Sequence, residues 1–254
     1  MIINHKKSFI FFRPLKVAGT SIEAMLSSAC DSDDFITGPD RQHLDQRDDT
    51  GRVFEKFVKL NNTDETTGLD RFHIHTPPDI LYSDTKSNWE DYTKITAVRN
   101  PWDLCVSYWW WCISQSKAWR RKDIYPAKSD SRIDLIRKFR VFLFTLSKPS
   151  LDGIQRREGL DELSPTITWF SDKSKRYYTD DMDKFIRFEY LEDDCRDICK
   201  FVGIKFNGIP RFKTDQRKLN IHYSNYYDPV TIRAVGEKFK EIVEKFEYKF
   251  ESDS

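Results

Sequence analysis

Seven side chains have the type and spacing to act on an anionic ligand: Lys16, Thr20, Ser21, His73, His75, Arg99 and Ser107. Lys16 sits in Arg13-Pro14-Leu15-Lys16-Val17-Ala18-Gly19-Thr20-Ser21, between an apolar run and the residues that open a helix. Backbone amides at a helix N-terminus attract negative charge, and a lysine adds a full positive one. Lys16, Val17, Ala18, Gly19, Thr20 and Ser21 are therefore the residues expected to line an anion site. Ala18 and Gly19 are small enough for close backbone approach. His73 and His75 alternate around Ile74, so an extended segment would place them on one side. A neutral imidazole with a pKa of about 6.5 is suited to take a proton from a hydroxyl. Arg99 and Ser107, eight residues apart, offer a planar fork and a hydroxyl to a second anionic group.

Three elements must position these groups. Ser8–Phe12 is short, apolar and aromatic, the composition of a buried strand, and Pro14 ends it because proline cannot donate to a ladder. Thr20 or Ser21 is expected to cap the helix opened by Ile22-Glu23-Ala24-Met25-Leu26. Lys94–Arg99 reads as a second strand, placing Arg99 at the carboxyl end where open α/β sheets bind ligands. Asn100-Pro101-Trp102-Asp103 then starts a helix: Asn100 caps, Pro101 takes the first helical position, and Asp103 complements the dipole. Trp102, Cys105, Val106, Trp109, Trp110 and Ile113 mark its buried face. Further along, Ile133–Leu146, Tyr190–Val202 and a final run from Asp228-Pro229 read as helices, and Phe185–Phe188 as a strand. The final helix is expected to pack Ile232, Val235, Phe239, Ile242, Val243 and Phe246 on one face. Asp31–Thr50 reads as a surface loop, Arg52–Leu60 as a short helix or strand, and Ser147–Pro165 as a polar connection. The N-terminal MIINHKKSFIFF is expected to run straight into the first strand.

Composition bounds the remaining choices. The chain has 254 residues, 33% charged and 39% hydrophobic, and a formal net charge of +1. This fits a globular protein with a core and argues against a surface built to hold nucleic acid. No apolar run approaches the roughly 20 residues of a membrane span, and no linker or repeat divides the chain. A single domain over 1–254 is expected, with a loop-rich insertion at 31–70 and acceptor-side helices and loops at 114–182. Cys30, Cys105, Cys112, Cys195 and Cys199 are odd in number and scattered, which suits buried thiols. No Cys/His spacing suggests a metal site. The basic clusters at Lys117–Lys122 and at Arg137, Lys138 and Arg140 fit either solvated faces or a wall for an acidic acceptor.

The loop is not a Walker A loop, since its lysine precedes the glycine by three residues. Lys16-Val17-Ala18-Gly19-Thr20-Ser21 instead resembles the 5′-phosphosulfate loop of sulfotransferases that use 3′-phosphoadenosine 5′-phosphosulfate (PAPS). VRNPWDLCVSYW, with Arg99 and Ser107, resembles their 3′-phosphate-binding strand and helix. His75-Thr76-Pro77-Pro78-Asp79-Ile80, Trp169-Phe170-Ser171-Asp172, the Phe185–Asp194 run and HYSNYYDPVTIRAVGEKFKEIVEKFEYKF resemble segments of the carbohydrate (Golgi-type, family 2) branch, in order along the chain. The resemblance implies a P-loop-like sulfotransferase fold: α/β, with a central, mainly parallel sheet flanked by helices. It also implies transfer of a sulfuryl group from PAPS to an acceptor hydroxyl on a carbohydrate or small metabolite, with no metal. Lys16 would act at the phosphate–sulfate bridge, and Arg99 and Ser107 would hold the 3′-phosphate. His75 would be the general base, with His73 as second choice. Arg217 and Lys218 would lie in a loop over the nucleotide, although no Arg-Lys-Gly is present there. The chain departs from the pattern at Pro14-Leu15-Lys16, where the family usually has proline and lysine adjacent. The absence of an N-terminal anchor leads to the expectation of a soluble, cytoplasmic enzyme. A nucleotide kinase or NTPase, and a non-catalytic nucleotide- or glycan-binding protein, are the alternative classes.

Overall fold

The computed structural model describes residues 1–31, 33–37, 74–115, 124–147, 164–212 and 217–253. They form two compact units, Met1–Arg99 with Arg176–Thr214, and Asn100–Lys175 with Asp215–Ser254. His73, the Arg52–Leu60 segment, the Lys117–Lys122 cluster and most of the 31–70 and 147–165 stretches lie outside the described residues.

The first unit is built on a five-stranded mixed sheet. Its strands are β1 (Ile2–Asn4), β2 (Phe9–Phe11), β3 (Phe35–Ile36), β4 (Thr93–Val98) and β7 (Lys184–Arg187), in the order β3-β1-β2-β4-β7. β2 and β4 are parallel, Phe9 facing Thr93 and Phe11 facing Ile95. β4 and β7 are also parallel, Val98 facing Arg187. β1 runs against both neighbours, which corrects the expected mainly parallel sheet and the single run from Met1 to Phe12. The reversal comes from the polar His5-Lys6-Lys7 insert. The Asn4 side chain accepts the Lys7 amide at 2.7 Å, and Ser8 takes a left-handed conformation, φ 50°, so the chain folds back as a hairpin. Asn4 itself is buried and donates to Asp34 at 2.8 Å and to the Ala29 carbonyl at 3.1 Å, so its polar group is satisfied.

α1 (Gly19–Leu26) follows β2, and all eight of its residues are buried. α2 (Pro78–Thr85) precedes β4, and α6 (Leu191–Phe201) follows β7 and packs on it. α6 ends in a Schellman motif. Gly203 sits at φ 69°, with its amide on the Lys200 carbonyl at 3.3 Å and the Ile204 amide on that of Cys199 at 2.8 Å. Asp194, in the first turn of α6, accepts from the Arg187 amide at 2.7 Å and from Nε and Nη2 of its guanidinium at 2.9 and 2.7 Å. This gives the Phe185–Asp194 run a structural reason: it fastens the end of β7 to the start of α6.

The second unit is helical: α3 (Pro101–Gln115), α4 (Arg132–Phe144), α5 (Thr166–Lys175), α7 (Pro229–Lys238) and α8 (Lys240–Lys245), with a short strand pair of β5 (Leu146–Ser147) and β6 (Ser164–Pro165). Asn100 caps α3 as expected, accepting the Trp102 amide at 3.1 Å. Trp102, Trp109 and Trp110 are core residues. Their ring nitrogens bond to the Ile232 carbonyl, the Ile124 carbonyl and the Tyr226 hydroxyl. Two members of the basic cluster on α4, Lys138 and Arg140, are committed internally rather than forming a wall, while Arg137 is exposed. Lys138 donates to Asp130 at 2.6 Å, and Arg140 to the Tyr226 and Tyr227 carbonyls at 2.9 and 2.7 Å. The final helix breaks at Phe239. The Ser171 hydroxyl donates to the Lys238 carbonyl, supplying an acceptor at the break with a partner from another helix. Val235, Phe239 and Ile242 are still buried. All five cysteines are buried free thiols, and burial raises the Cys199 pKa to about 11.

Burial alone would raise the pKa of Asp194, but the Arg187 bonds outweigh it and hold the carboxyl below its ordinary value. A depressed folded pKa stabilises the fold above the unfolded value of about 3.9 and is lost as pH falls through the folded pKa. Asp194→Asn is expected to cost about 1–3 kcal/mol at neutral pH. In urea titrations the gap from wild type should narrow at pH values below 4.

Candidate active site

Parallel pairing of β2 with β4 sets the carboxyl ends of both strands side by side, and Phe12 extends the pairing with its amide on the Ile95 carbonyl at 2.8 Å. From there the chain must turn into α1 within a few residues. It does so with two non-glycine residues in the left-handed region, Lys16 at φ 63° and Ala18 at φ 61°, a conformation that carries a penalty for side chains with a Cβ. Ala18 serves as the N-cap, its carbonyl accepting the Ser21 and Ile22 amides at 2.9 and 3.1 Å. Among the described residues, the amides of Val17, Ala18, Gly19 and Thr20 donate to no protein acceptor.

Thr20 and Ser21 do not cap the helix, contrary to expectation. The Thr20 hydroxyl accepts from Arg13 Nη2 at 2.5 Å, and the Ser21 hydroxyl from the Phe212 amide at 3.3 Å. Gly19 is required by packing. A Cβ there would lie 2.4 Å from Cγ of Arg13. Arg13 is 4% exposed and pairs through Nη1 with Glu23 at 2.5 Å; Glu23 is fully buried. Burial alone would raise the Glu23 pKa, but the Met1 ammonium and the Arg13 guanidinium outweigh it and hold the carboxyl below its usual range.

Arg99 leaves β4 and donates through Nη1 to the Lys16 carbonyl at 2.9 Å. Its guanidinium lies over the Phe188 ring, 3.7 Å from the centroid. His75 occupies a turn before α2 rather than an extended segment. Its Nδ1 lies 2.9 Å from the Arg13 carbonyl oxygen. A carbonyl can only accept, so Nδ1 carries the proton and Nε2 of a neutral ring carries the lone pair. Tyr177 donates to the His75 carbonyl at 2.5 Å, and Arg176 forks onto Asp79 at 3.3 and 2.7 Å, pinning the turn from the other side.

Lys16, Arg99 and His75 thus gather around one loop in the first unit. Ser107, half-buried on α3, and Arg217 and Lys218 belong to the second unit. There Arg217 is paired with Asp103 at 2.6 Å, and Lys218 is exposed. Arg13, Glu23, Phe188 and Tyr177 support the loop and the histidine and were not read from the sequence. The signal for one of them was present: a lone glutamate inside Ile22-Glu23-Ala24-Met25-Leu26. Among the described residues no cluster of His, Cys, Asp or Glu could hold a metal, and no helix is long and apolar enough to cross a membrane.

No protein-family model matches the chain, and no curated protein matches it. Among solved structures, a crystal structure of a sulfotransferase from Alicyclobacillus acidocaldarius is similar over 94% of this chain and 94% of its own, with a TM-score of 0.42 and 14% sequence identity.

Gly19→Ala would ordinarily gain up to about 1 kcal/mol in helix propensity. Here the Arg13 stem stands in the way, and a net loss of about 1–3 kcal/mol is expected from overpacking. Thermal and urea denaturation of the variant read the sign directly.

Proposed function

We propose that the protein is a sulfotransferase that moves a sulfuryl group from PAPS to an acceptor hydroxyl. The observation that carries this reading is the contact of Arg99 with the Lys16 carbonyl. It joins the end of one parallel strand to a lysine-bearing loop at the start of a buried helix. The ordered resemblance in sequence supports the same reading, including its carbohydrate branch, and points to a hydroxyl on a glycan or small metabolite.

Each residue then has a distinct task. The amides of Val17 to Thr20 receive the 5′-phosphate oxygens, aided by the positive end of α1. Thr20, whose oxygen already accepts from Arg13, has its own proton left to donate outward. Lys16 balances charge that builds on the bridging oxygen as the S–O bond breaks. Arg99 and Ser107 hold the 3′-phosphate; Arg99 is preset by its stacking on Phe188. Arg217 and Lys218 close over the nucleotide, Arg217 exchanging or sharing its Asp103 partner. Nε2 of His75 takes the acceptor proton as the hydroxyl oxygen attacks sulfur, a contribution of about 10²–10⁴-fold. His73 is the second choice for this task. The transfer is a single in-line displacement that needs no metal and no covalent enzyme intermediate, by analogy with phosphoryl transfer.

The test is calorimetric titration with adenosine 3′,5′-bisphosphate, with ATP and 5′-AMP as controls. Micromolar binding that depends on the 3′-phosphate and is lost in Arg99→Ala is the expected result. With an acceptor in hand, Lys16→Ala should abolish turnover, and His75→Ala should lower it by about 10²-fold or more. Failure to bind the bisphosphate, or an ATP preference that needs Mg²⁺, would overturn the reading in favour of a nucleotide kinase.

A further inference from the structure

Arg13 has no task in this scheme, yet it touches every part of the loop site that it can reach. Its Nη1 binds Glu23 and its Nη2 binds the Thr20 hydroxyl, both at 2.5 Å. Its side-chain stem fills the space above Gly19. Its carbonyl oxygen receives Nδ1 of His75 at 2.9 Å. The side chain is 5% exposed and its partner Glu23 is fully buried, so the guanidinium is not presented to a ligand as an anion-binding group.

A buried ion pair is a poor way to gain stability, because desolvation of both charges offsets most of their attraction. What this pair does supply is geometry. A guanidinium is a rigid planar fork, and here its two arms reach acceptors on successive turns of α1, three residues apart. We propose that Arg13 is a positioning residue that holds the Thr20 end of the loop and the His75 ring in a single arrangement. The side chain fixes where Thr20 points its proton, and the main chain of the same residue fixes which imidazole nitrogen carries the proton. The anion-binding half of this assignment rests on the sulfuryl-transfer reading; the coupling of Arg13 to His75 does not.

Arg13→Lys keeps the charge and removes the fork. Gly19→Ala keeps every charged group and displaces the Arg13 stem, and it is the milder change should Arg13→Lys not fold. Near-UV circular dichroism would establish folding for both. Nitrogen-15 NMR of the imidazoles, with His75 assigned by its loss in His75→Gln, reads the tautomer. Titration with adenosine 3′,5′-bisphosphate reads the loop. The expected result is a wild-type His75 held with the proton on Nδ1, a mixture of tautomers in the folded variants, and bisphosphate binding weakened by about 100-fold. A folded variant with the wild-type tautomer and wild-type affinity overturns the proposal. If the wild-type protein does not bind the bisphosphate, the sulfotransferase reading fails, and the tautomer comparison alone still decides whether Arg13 positions His75.

Discussion

The candidate site depends on one hydrogen bond, from Arg99 Nη1 to the Lys16 carbonyl. It is possible only because β2 and β4 are parallel neighbours, which brings both chain exits to one end of the sheet. An antiparallel pairing would have placed Arg99 at the opposite end from the loop. The bond also explains why the main chain at Lys16 tolerates a left-handed conformation. A carbonyl turned out of line by that φ finds a charged donor, and charged donors make the stronger hydrogen bonds. Phe188 holds the guanidinium flat from its other side, so β7 takes part through the residue that follows it.

Around this bond the loop is supported more by its neighbours than by its own residues. Thr20 and Ser21 would be expected to satisfy the helix start; instead each hydroxyl is occupied by a donor from outside α1. Capping falls to the Ala18 carbonyl. Among the described residues, the amides of Val17, Ala18, Gly19 and Thr20 have no protein acceptor. Under the proposed function an anion there would meet N–H dipoles and the helix terminus, while the Arg13 charge is largely spent on Glu23.

The sequence was most legible where local composition decides the outcome. The Phe-Ile-Phe strand, the Lys94–Arg99 strand and the Asn100-Pro101 helix start stand within a residue or two of where they were expected, because burial and capping chemistry are local. It was least legible where a partner lies far along the chain. Nothing near Arg13 announces that its charge is met by Glu23, nor that its carbonyl receives His75 from 62 residues away. The hairpin of β1 was missed because Ile2–Asn4 is too short to show a period. The break at Phe239 was missed because the partner of the carbonyl beside it, the Ser171 hydroxyl, lies on another helix. Arg140 and Lys138 fitted a solvated face or a ligand wall only while their acceptors, backbone carbonyls and Asp130, were out of view.

The same distinction separates the residues proposed to act on a ligand from those that hold them. Lys16, Arg99 and His75 stand out by residue type together with the sequence resemblance, since chemistry restricts which side chains can balance a phosphate or take a proton. Their supports are drawn from a wider set: a phenylalanine, a tyrosine hydroxyl, a buried carboxylate and a main-chain carbonyl. Any of several residue types could fill such a role, so type alone identifies none of them. The protonation state of His75 illustrates how much rests on that second group. The imidazole has two nitrogens of similar basicity, and a base that presents the wrong one does not accept a proton. A backbone oxygen faces Nδ1, and a backbone oxygen is common to every residue; only the fold, by placing Arg13 beside the turn at His75, gives it that position.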